Sequence, residues 1–111
     1  EGAYNLYQKV LTMDRENPEA LIGMGTSILG MHKPKEALKY YTEALKVKPG
    51  LFILYKKMGM LYETSLNDMQ KAIDNYEKYI AGAHPGPNDE VVMKVTALKQ
   101  MMQMQAPKPE P

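Results

Sequence analysis

The sequence predicts an all-α protein built of antiparallel helical hairpins, and three observations support this prediction. One apolar helical pattern occurs three times, a Met-Gly pair marks two further segments, and prolines, glycines and asparagines stand between these segments. With 111 residues, 44% of them hydrophobic, the chain is long enough to bury a core. The repetition indicates that each hairpin buries its apolar face against the next one.

The pattern that occurs three times lies in residues 2–13, 36–47 and 71–82, at offsets of 34 and then 35 residues. Within each copy the shared residues lie at positions i, i+4, i+7 and i+8, which places them on one face of a helix. The coinciding residues are Ala3, Ala37 and Ala72; Tyr7, Tyr41 and Tyr76; Val10, Ala44 and Tyr79; and Leu11, Leu45 and Ile80.

A second kind of helix lies between these copies and carries the Met-Gly pair. Met24 and Gly25 recur as Met58 and Gly59, again at an offset of 34. Glycine inside a helix costs about 1 kcal/mol relative to alanine. Its recurrence at the same point therefore predicts that another helix comes very close to each glycine.

Prolines and an asparagine set the bounds of the first three helices. Asn17 is expected to cap a helix that Pro18 opens, because asparagine accepts free amide hydrogens and proline needs none. Pro34 opens the next helix, and Pro49 and Gly50 end it. The predicted helices span about residues 1–13, 18–31 and 34–47.

Polar turn residues set the bounds of the last three helices. The segment NDMQ (67–70) resembles a capping box, in which Asn67 caps the helix and Gln70 reaches back to the backbone. The segment AHPGPND (83–89) predicts a turn, with Asn88 as the cap of the last helix. The predicted helices span about residues 51–65, 68–82 and 88–104.

These patterns resemble the tetratricopeptide repeat (TPR) family, whose 34-residue repeat forms two antiparallel helices. Residues 18–51 and 52–86 resemble complete repeats, and residues 1–17 resemble the second helix of a partial one. The second copy departs from the pattern by one extra residue near 65–69 and by a bulky Tyr79. The matching residues are Leu21, Met24, Gly25, Ile28, Ala37, Tyr41, Ala44 and Pro49, then Tyr55, Met58, Gly59, Tyr62, Ala72, Tyr76, Tyr79 and Pro85.

The resemblance implies a TPR domain over residues 1–105, stacked as a short right-handed solenoid. Its last helix, within 88–105, lacks the Met-Gly pair and resembles the helix that caps such arrays, because an end repeat would otherwise leave an apolar face bare. Residues 106–111 are expected to form a Pro-rich linker or tail. The apolar stripe of the last helix consists of Val91, Val95, Leu98 and Met102.

The sequence shows no pattern typical of catalysis, metal binding or cofactor binding. The chain has no cysteine, and neither Ser27 nor Ser65 lies in a Gly-x-Ser-x-Gly elbow. His32 and His84 fall in predicted turns without a partner at metal-ligand spacing. No Gly-rich phosphate loop follows a strand, so we expect a protein that is not an enzyme and carries no cofactor.

The charge pattern gives weak guidance about partners. The net charge of +1, the scarcity of arginine and the core positions of most aromatic residues argue against nucleic acid, and no apolar run is long enough for membrane insertion. Residues 33–57 hold seven lysines. They are most simply a solvated helix face with cations near a helix C-terminus, and an electropositive patch for an acidic partner is the alternative.

The ten methionines need a separate interpretation. Met24 and Met58 belong to the core pattern. Met101, Met102 and Met104 cluster on the last helix and are expected to pack on the preceding repeat or to contact a continuation of the chain. An adaptable, methionine-rich binding surface is the alternative interpretation.

The resemblance implies a partner-binding groove along the first helix of each repeat, on the concave face of the array. Apolar groove positions are mixed there with lysines able to meet a carboxylate. These predicted groove residues are Glu19, Ile22, Thr26 and Leu29, with Gly23 beside them, and Ile53, Lys56, Lys57, Met60 and Thr64.

One function within the family is disfavoured by these positions. TPR domains that bind chaperone tails hold a terminal carboxylate with lysines and asparagines on successive first helices. Here Thr26 and Met60 stand at the first asparagine position, Ile22 stands at a lysine position, and Lys56 alone matches. Gly23 and Lys57 stand at the second asparagine position, so the carboxylate clamp is incomplete.

The function predicted from the sequence is a non-catalytic module that binds a peptide or helix of a partner protein and serves as scaffold or adaptor. Two alternatives stay open. The array could self-assemble into a homo-oligomer through the half-repeat at 1–17, or it could be the accessory or targeting domain of a larger enzyme.

Overall fold

A computed structural model describes residues 2–105, and these residues form six α-helices and no strand. The all-α prediction is therefore confirmed for this part of the chain, and each helix end lies within two residues of its predicted place. Glu1 and the predicted tail at 106–111 lie outside the described residues. The helices are α1 (Gly2–Met13), α2 (Pro18–Gly30), α3 (Pro34–Val47), α4 (Ile53–Thr64), α5 (Met69–Ala83) and α6 (Glu90–Gln105).

The chain divides within α4, between Leu54 and Tyr55, into two compact units. In the first unit, α2 packs against both α1 and α3. The predicted cap is confirmed, because the Asn17 Oδ1 accepts a hydrogen bond of 2.9 Å from the amide of Ala20, and Pro18 is the first helical residue. The buried side chains of α2 and α3 are Ala20, Leu21, Met24, Ile28, Ala37, Tyr41, Ala44 and Leu45.

The second unit contains the rest of α4 together with α5 and α6. Its core joins α5 to α6, and Tyr79 is partly buried against this core. The bulky side chain that departs from the TPR pattern is thus accommodated by packing. The buried residues of this core are Ala72, Ile73, Tyr76, Val91, Val95 and Leu98.

The two Met-Gly pairs mark close approaches between helices, as predicted. A Cβ atom added to Gly25 would lie 2.8 Å from Cε1 of Tyr41, and one added to Gly59 would lie 2.6 Å from Cδ1 of Tyr76. Both tyrosines are almost fully buried, at 2% and 1% exposure. The glycine therefore makes room for the tyrosine of the helix that follows it in the same unit.

The predicted capping box at residues 67–70 is wrong by one residue. Asp68 caps α5, with its Oδ1 accepting a hydrogen bond of 3.0 Å from the amide of Lys71. Asn67 has a left-handed backbone (φ 51°) in the turn that follows α4. Gln70 does not reach back, because its side-chain amide donates to Asp74 at 2.9 Å.

The predicted cap of the last helix is displaced in the same way, from Asn88 to Asp89. The Asp89 Oδ1 accepts a hydrogen bond of 2.8 Å from the amide of Val91, and its carbonyl accepts one of 3.1 Å from Met93. Both errors occur at an Asn-Asp pair, where either residue can cap a helix. The pattern of residue types cannot decide between neighbours of similar capping strength.

Both histidines lie at turns, as predicted, and both have a left-handed backbone. His84 ends α5 with φ 52°, and its amide donates to the carbonyl of Ile80. His32 follows α2 with φ 63°. L-residues adopt this conformation at a cost, so these positions serve to reverse the chain.

Candidate functional site

A cavity of about 290 Å³ opens between α1 and α2 in the first unit. Three predicted groove residues line it, namely Glu19, Ile22 and Thr26, and so does the neighbouring Gly23. Two lining residues on α1, Ala3 and Tyr7, were not among the predictions. The complete lining of this α1–α2 cavity is Ala3, Tyr7, Glu19, Ile22, Gly23, Thr26 and Ser27.

The ring of Tyr7 lies directly against Gly23. A Cβ atom at Gly23 would overlap this ring, so glycine is what lets the tyrosine reach α2. This contact could have been predicted from the sequence. Gly23 lies inside a helix, and the matching position of the next repeat, 34 residues later, is Lys57 and not glycine. A glycine inside a helix that is absent from the other repeat indicates a local contact.

Tyr7 differs from the two residues that it matches in the repeat. Tyr41 and Tyr76 are buried by the helix that precedes each of them, whereas Tyr7 is half-buried and α1 has no buried residue. Its aromatic surface therefore remains accessible within the α1–α2 cavity. An accessible aromatic ring beside an apolar side chain is typical of sites that bind other molecules.

Apart from the hydroxyl of Tyr7, the polar side chains of the α1–α2 cavity come from α2. The hydroxyl of Thr26 is hydrogen-bonded to the hydroxyl of Tyr41 at 2.9 Å, which fixes the position of Thr26 on the helix surface. Glu19 lies exposed in the first turn of α2. Because it is the charged member of this lining, the cavity combines an apolar surface with a single negative charge.

Two other predicted groove residues of the first unit, Leu29 and Ile53, do not line the α1–α2 cavity. Leu29 is half-buried on α2, and Ile53 is 46% exposed at the start of α4. The structure therefore brings the predicted residues in the N-terminal and central parts of α2 together next to α1. It leaves Leu29 and Ile53 outside the cavity.

The predicted groove residues of the second unit are partly engaged by other side chains. Lys56 Nζ lies 3.8 Å from Oε1 of Glu90 on α6 and 5.8 Å from the ring centre of Tyr79. Met60 is 47% exposed, and Thr64 donates its hydroxyl proton to the Met60 carbonyl at 2.7 Å. Lys56 thus contacts α6 rather than pointing freely into solvent.

Lys57 is exposed on α4. No ion pair of Lys57 occurs within residues 2–105. In the first unit Lys46 pairs with Glu43 at 3.2 Å, a contact between neighbouring turns of α3. That pair accords with the simpler interpretation of the lysine-rich segment as a solvated helix face.

A polar network joins α4, α5 and α6 in the second unit. The buried Tyr76 donates its hydroxyl proton to Oε1 of Glu63 at 2.7 Å, and Lys94 Nζ lies 3.4 Å from the same oxygen. The pKa of Tyr76 is raised well above its ordinary value, mainly by burial of the phenol and to a smaller extent by its contact with Glu63. A small gap of about 30 Å³, lined in part by Tyr76, Glu90 and Lys94, adjoins this network.

A larger cavity of about 510 Å³ lies at α2 and α3 in the first unit. None of the predicted groove residues lines it. Its apolar surface comes from Leu21, Leu38 and Tyr40, and this α2–α3 cavity is completed by Lys39, Thr42 and Glu43. It provides a natural reference site for experiments on the α1–α2 cavity.

Within residues 2–105, no group of three or more metal-ligating histidine or acidic side chains is found. No helix in this part of the chain is both long enough and apolar enough to cross a membrane.

Comparison with known proteins identifies one informative relative. The chain is 37% identical over 76 residues, or 68% of its length, to a protein of Hordeum vulgare named probable UDP-N-acetylglucosamine–peptide N-acetylglucosaminyltransferase SPINDLY. The chain spans about 8% of that protein. SPINDLY contains TPR repeats, so the similarity is consistent with a TPR-like family and with a protein-interaction module. No protein-family model matches the chain.

Proposed function

We propose that the chain is a non-catalytic module that binds a segment of a partner protein, and that the α1–α2 cavity receives this segment. The observation that carries the proposal is the meeting of Glu19, Ile22 and Thr26 with the accessible ring of Tyr7 in one cavity. These α2 residues do not recur in the second repeat, so they can carry specificity without disturbing the shared core.

The chemistry of the cavity favours a particular kind of segment. Tyr7 and Ile22 offer an apolar surface to one buried side chain of the partner. Glu19 offers a carboxylate beside it, which suits a lysine or arginine that flanks the apolar residue. A peptide or helix with an apolar residue next to a basic one is therefore the expected ligand.

The resemblance to TPR proteins implies the architecture that goes with this role. The helical hairpins stack as a short right-handed TPR solenoid, α6 caps it, and the chain acts as a scaffold or adaptor. The similarity to a TPR-containing relative supports the repeat character and the interaction role.

The test begins with selection of binders from a random peptide library, using the full chain as bait. Affinities of the selected peptides are then measured by fluorescence anisotropy for three chains: the wild type, Ile22→Gln and Leu38→Gln. Ile22→Gln alters the α1–α2 cavity, and Leu38→Gln is the matched control in the α2–α3 cavity. Loss of one hot-spot contact is expected to weaken binding by roughly tenfold or more.

The proposal requires that Ile22→Gln loses affinity while Leu38→Gln keeps it. The reverse pattern would place binding in the α2–α3 cavity. The charge preference is tested with Glu19→Lys, which should discriminate against peptides with a basic residue and favour acidic ones. Wild-type selection of acidic peptides would contradict the assignment of Glu19.

A second candidate role rests on the relative's name. The Hordeum vulgare protein is a probable glycosyltransferase that acts on peptides, so this chain could serve as the accessory region of a similar larger enzyme. In that role the same cavity would hold the peptide that is modified. The sequence of the gene beyond both ends of this chain distinguishes the two roles.

A further inference from the structure

The three tyrosines that match in the repeat differ in what their hydroxyls contact. The hydroxyl of Tyr41 is bonded to that of Thr26 at 2.9 Å, and the hydroxyl of Tyr76 donates to Glu63 at 2.7 Å. Each of these partners lies on the helix that precedes the tyrosine. The hydroxyl of Tyr7 has no hydrogen-bond partner among the described residues. Tyr7 therefore keeps a donor and an acceptor for another molecule, whereas its two counterparts are engaged.

The free hydroxyl of Tyr7 lies on the surface of α2. Among the atoms of the tyrosine, Cζ is the one closest to the place where a Cβ atom of Gly23 would stand, and Cζ carries the hydroxyl. Gly23 lies in the middle of the α2 residues that line the α1–α2 cavity. The hydroxyl is thus presented inside this cavity, which Ile22 also lines.

A second free hydroxyl lines the same cavity one helical turn further along α2. Ser27 follows Gly23 by four residues, and its hydroxyl has no hydrogen-bond partner within the described part of the chain. Hydroxyls inside helices often donate to the carbonyl of the preceding turn, as Thr64 does to Met60. Ser27 makes no such bond with Gly23, so its hydroxyl is available to another molecule.

Both free hydroxyls can be reached from solvent. Tyr7 and Ser27 are each half-buried, and within residues 2–105 no buried side-chain oxygen or nitrogen lacks a hydrogen-bond partner. An oxygen that has no partner in a half-buried residue must therefore be accessible. A ligand that enters the cavity displaces water from the hydroxyls and must offer them polar groups in return, because a buried polar group without a partner is costly.

The polar groups closest to a buried side chain of the partner are those of its own backbone. In the middle of a helix, the amide hydrogens and carbonyl oxygens are bonded within the helix and are not free for a hydroxyl. An extended segment has no internal backbone hydrogen bonds, so its amides and carbonyls are free. A hydroxyl suits either group, because it can donate to a carbonyl and accept from an amide.

We propose that the hydroxyls of Tyr7 and Ser27 bind the backbone of the partner segment, so that the α1–α2 cavity receives an extended peptide rather than a helix. This inference rests on the proposed function, because it concerns the segment that the cavity holds. An apolar side chain of the segment lies against Ile22 and the ring of Tyr7, and the backbone beside it meets the two hydroxyls. These hydroxyls are not bonded to each other, so each can serve a separate backbone group.

The first test removes each hydroxyl and keeps the rest of the side chain. The probe is the tightest peptide from the library selection, and its affinity for the full chain is measured by fluorescence anisotropy. Tyr7→Phe and Ser27→Ala are each expected to weaken binding by roughly three- to tenfold, as for a hydrogen bond between neutral groups. Tyr40→Phe in the α2–α3 cavity and Ser65→Ala in the turn after α4 are the matched controls and should bind like the wild type.

A double-mutant cycle tests whether the backbone is the group that these hydroxyls bind. Esters replace the amide bonds beside the apolar residue of the probe, one at a time, which removes an amide hydrogen and weakens a carbonyl acceptor. The ester that weakens binding to the wild type most is expected to cost at least about threefold less with Tyr7→Phe or Ser27→Ala, because the same hydrogen bond is already lost. Equal costs with all three chains would overturn the inference.

The conformation of the bound segment is tested with a probe that is locked in a helix by a link between side chains four residues apart. The locked peptide is expected to bind at least about tenfold more weakly than the same peptide with the link left open, because its backbone groups are no longer free. A locked peptide that binds as tightly as the open one would overturn the inference.

The outcomes separate this inference from the proposed function. Circular dichroism first checks that each variant keeps its helices. If Ile22→Gln loses affinity while Tyr7→Phe and Ser27→Ala bind like the wild type, the cavity is the binding site but its hydroxyls do not hold the backbone, and this inference alone is overturned. If Ile22→Gln keeps its affinity, the proposed function fails and the inference fails with it.

Discussion

Replacing Gly59 by alanine is expected to destabilise the protein, although alanine is the better helix former. Alanine in the middle of a helix gains about 1 kcal/mol over glycine. The new Cβ would lie 2.6 Å from both Cδ1 and Cε1 of Tyr76, whereas carbon atoms in contact keep about 3.5–4.0 Å. The helix or the ring must therefore move by about 1 Å.

The ring of Tyr76 has little freedom to make that movement. It is 1% exposed, and its hydroxyl is held by Glu63 at 2.7 Å. Overpacking of this kind costs about 1–3 kcal/mol, and a tightly held ring belongs at the upper end. After subtraction of the gain in helix propensity, we expect a net loss of about 1–2 kcal/mol in the free energy of unfolding.

Urea unfolding followed by circular dichroism measures this loss. Gly25→Ala should lose stability in the same way, because its Cβ would lie 2.8 Å from Tyr41. Gly30→Ala is the matched control in a helix, since nothing lies within 4 Å of its added Cβ. If Gly59→Ala proves as stable as Gly30→Ala, the tight contact between glycine and tyrosine is refuted.

Three further predictions concern the caps, the buried phenol and a turn. Asp68→Ala should lower the free energy of unfolding by about 1 kcal/mol, and Gln70→Ala should lower it less, because Asp68 caps α5. The raised pKa of Tyr76 favours the protonated phenol in the folded state. The contribution of this raised pKa to the free energy of unfolding is complete below a pH of about 10 and is lost as the pH rises through the folded-state pKa. The stability difference between wild type and Tyr76→Phe should therefore shrink above a pH of about 10. His84→Gly should raise stability by up to about 1 kcal/mol, since glycine adopts the left-handed backbone freely.

Urea unfolding checks the Asp68, Gln70 and His84 variants, and its repetition across alkaline pH checks Tyr76→Phe. Equal losses of unfolding free energy in Asp68→Ala and Gln70→Ala would favour the capping box, in which Gln70 reaches back to the backbone. A stability difference for Tyr76→Phe that stays constant above pH 10 would show that the phenol titrates alike in both states. A destabilised His84→Gly variant would show that the imidazole itself makes a contact that matters.

The helices and their close contacts could be predicted because each depends on local or repeated residue types. The repeated Met-Gly pair indicated where Tyr41 and Tyr76 come close, since only an interhelical contact explains a repeated helical glycine. The caps at Asp68 and Asp89 could not be chosen from sequence. Asparagine and aspartate cap with similar strength, and the turn that ends the previous helix decides between them.

The candidate site was only partly predictable. Positions on α2 followed from the resemblance to TPR proteins, but Tyr7 was assigned to the shared core pattern of the repeat. Its ring contacts α2 at Gly23 but is only half-buried, whereas Tyr41 is almost fully buried against Gly25. Lys56 was expected to face a partner, and its contact with Glu90 depends on how α6 packs, which the sequence around Lys56 does not encode.

Mapping of the binding surface by nuclear magnetic resonance tests the proposed function most directly. A peptide selected for binding is titrated into the full, isotope-labelled chain, and the shifts of the backbone amides are followed. We expect the largest changes at Gly23 and Thr26 and at Tyr7, with small changes at Lys39 and Thr42 of the α2–α3 cavity. Changes confined to Lys39 and Thr42 would contradict the assignment of the α1–α2 cavity as the site where this protein binds its partner.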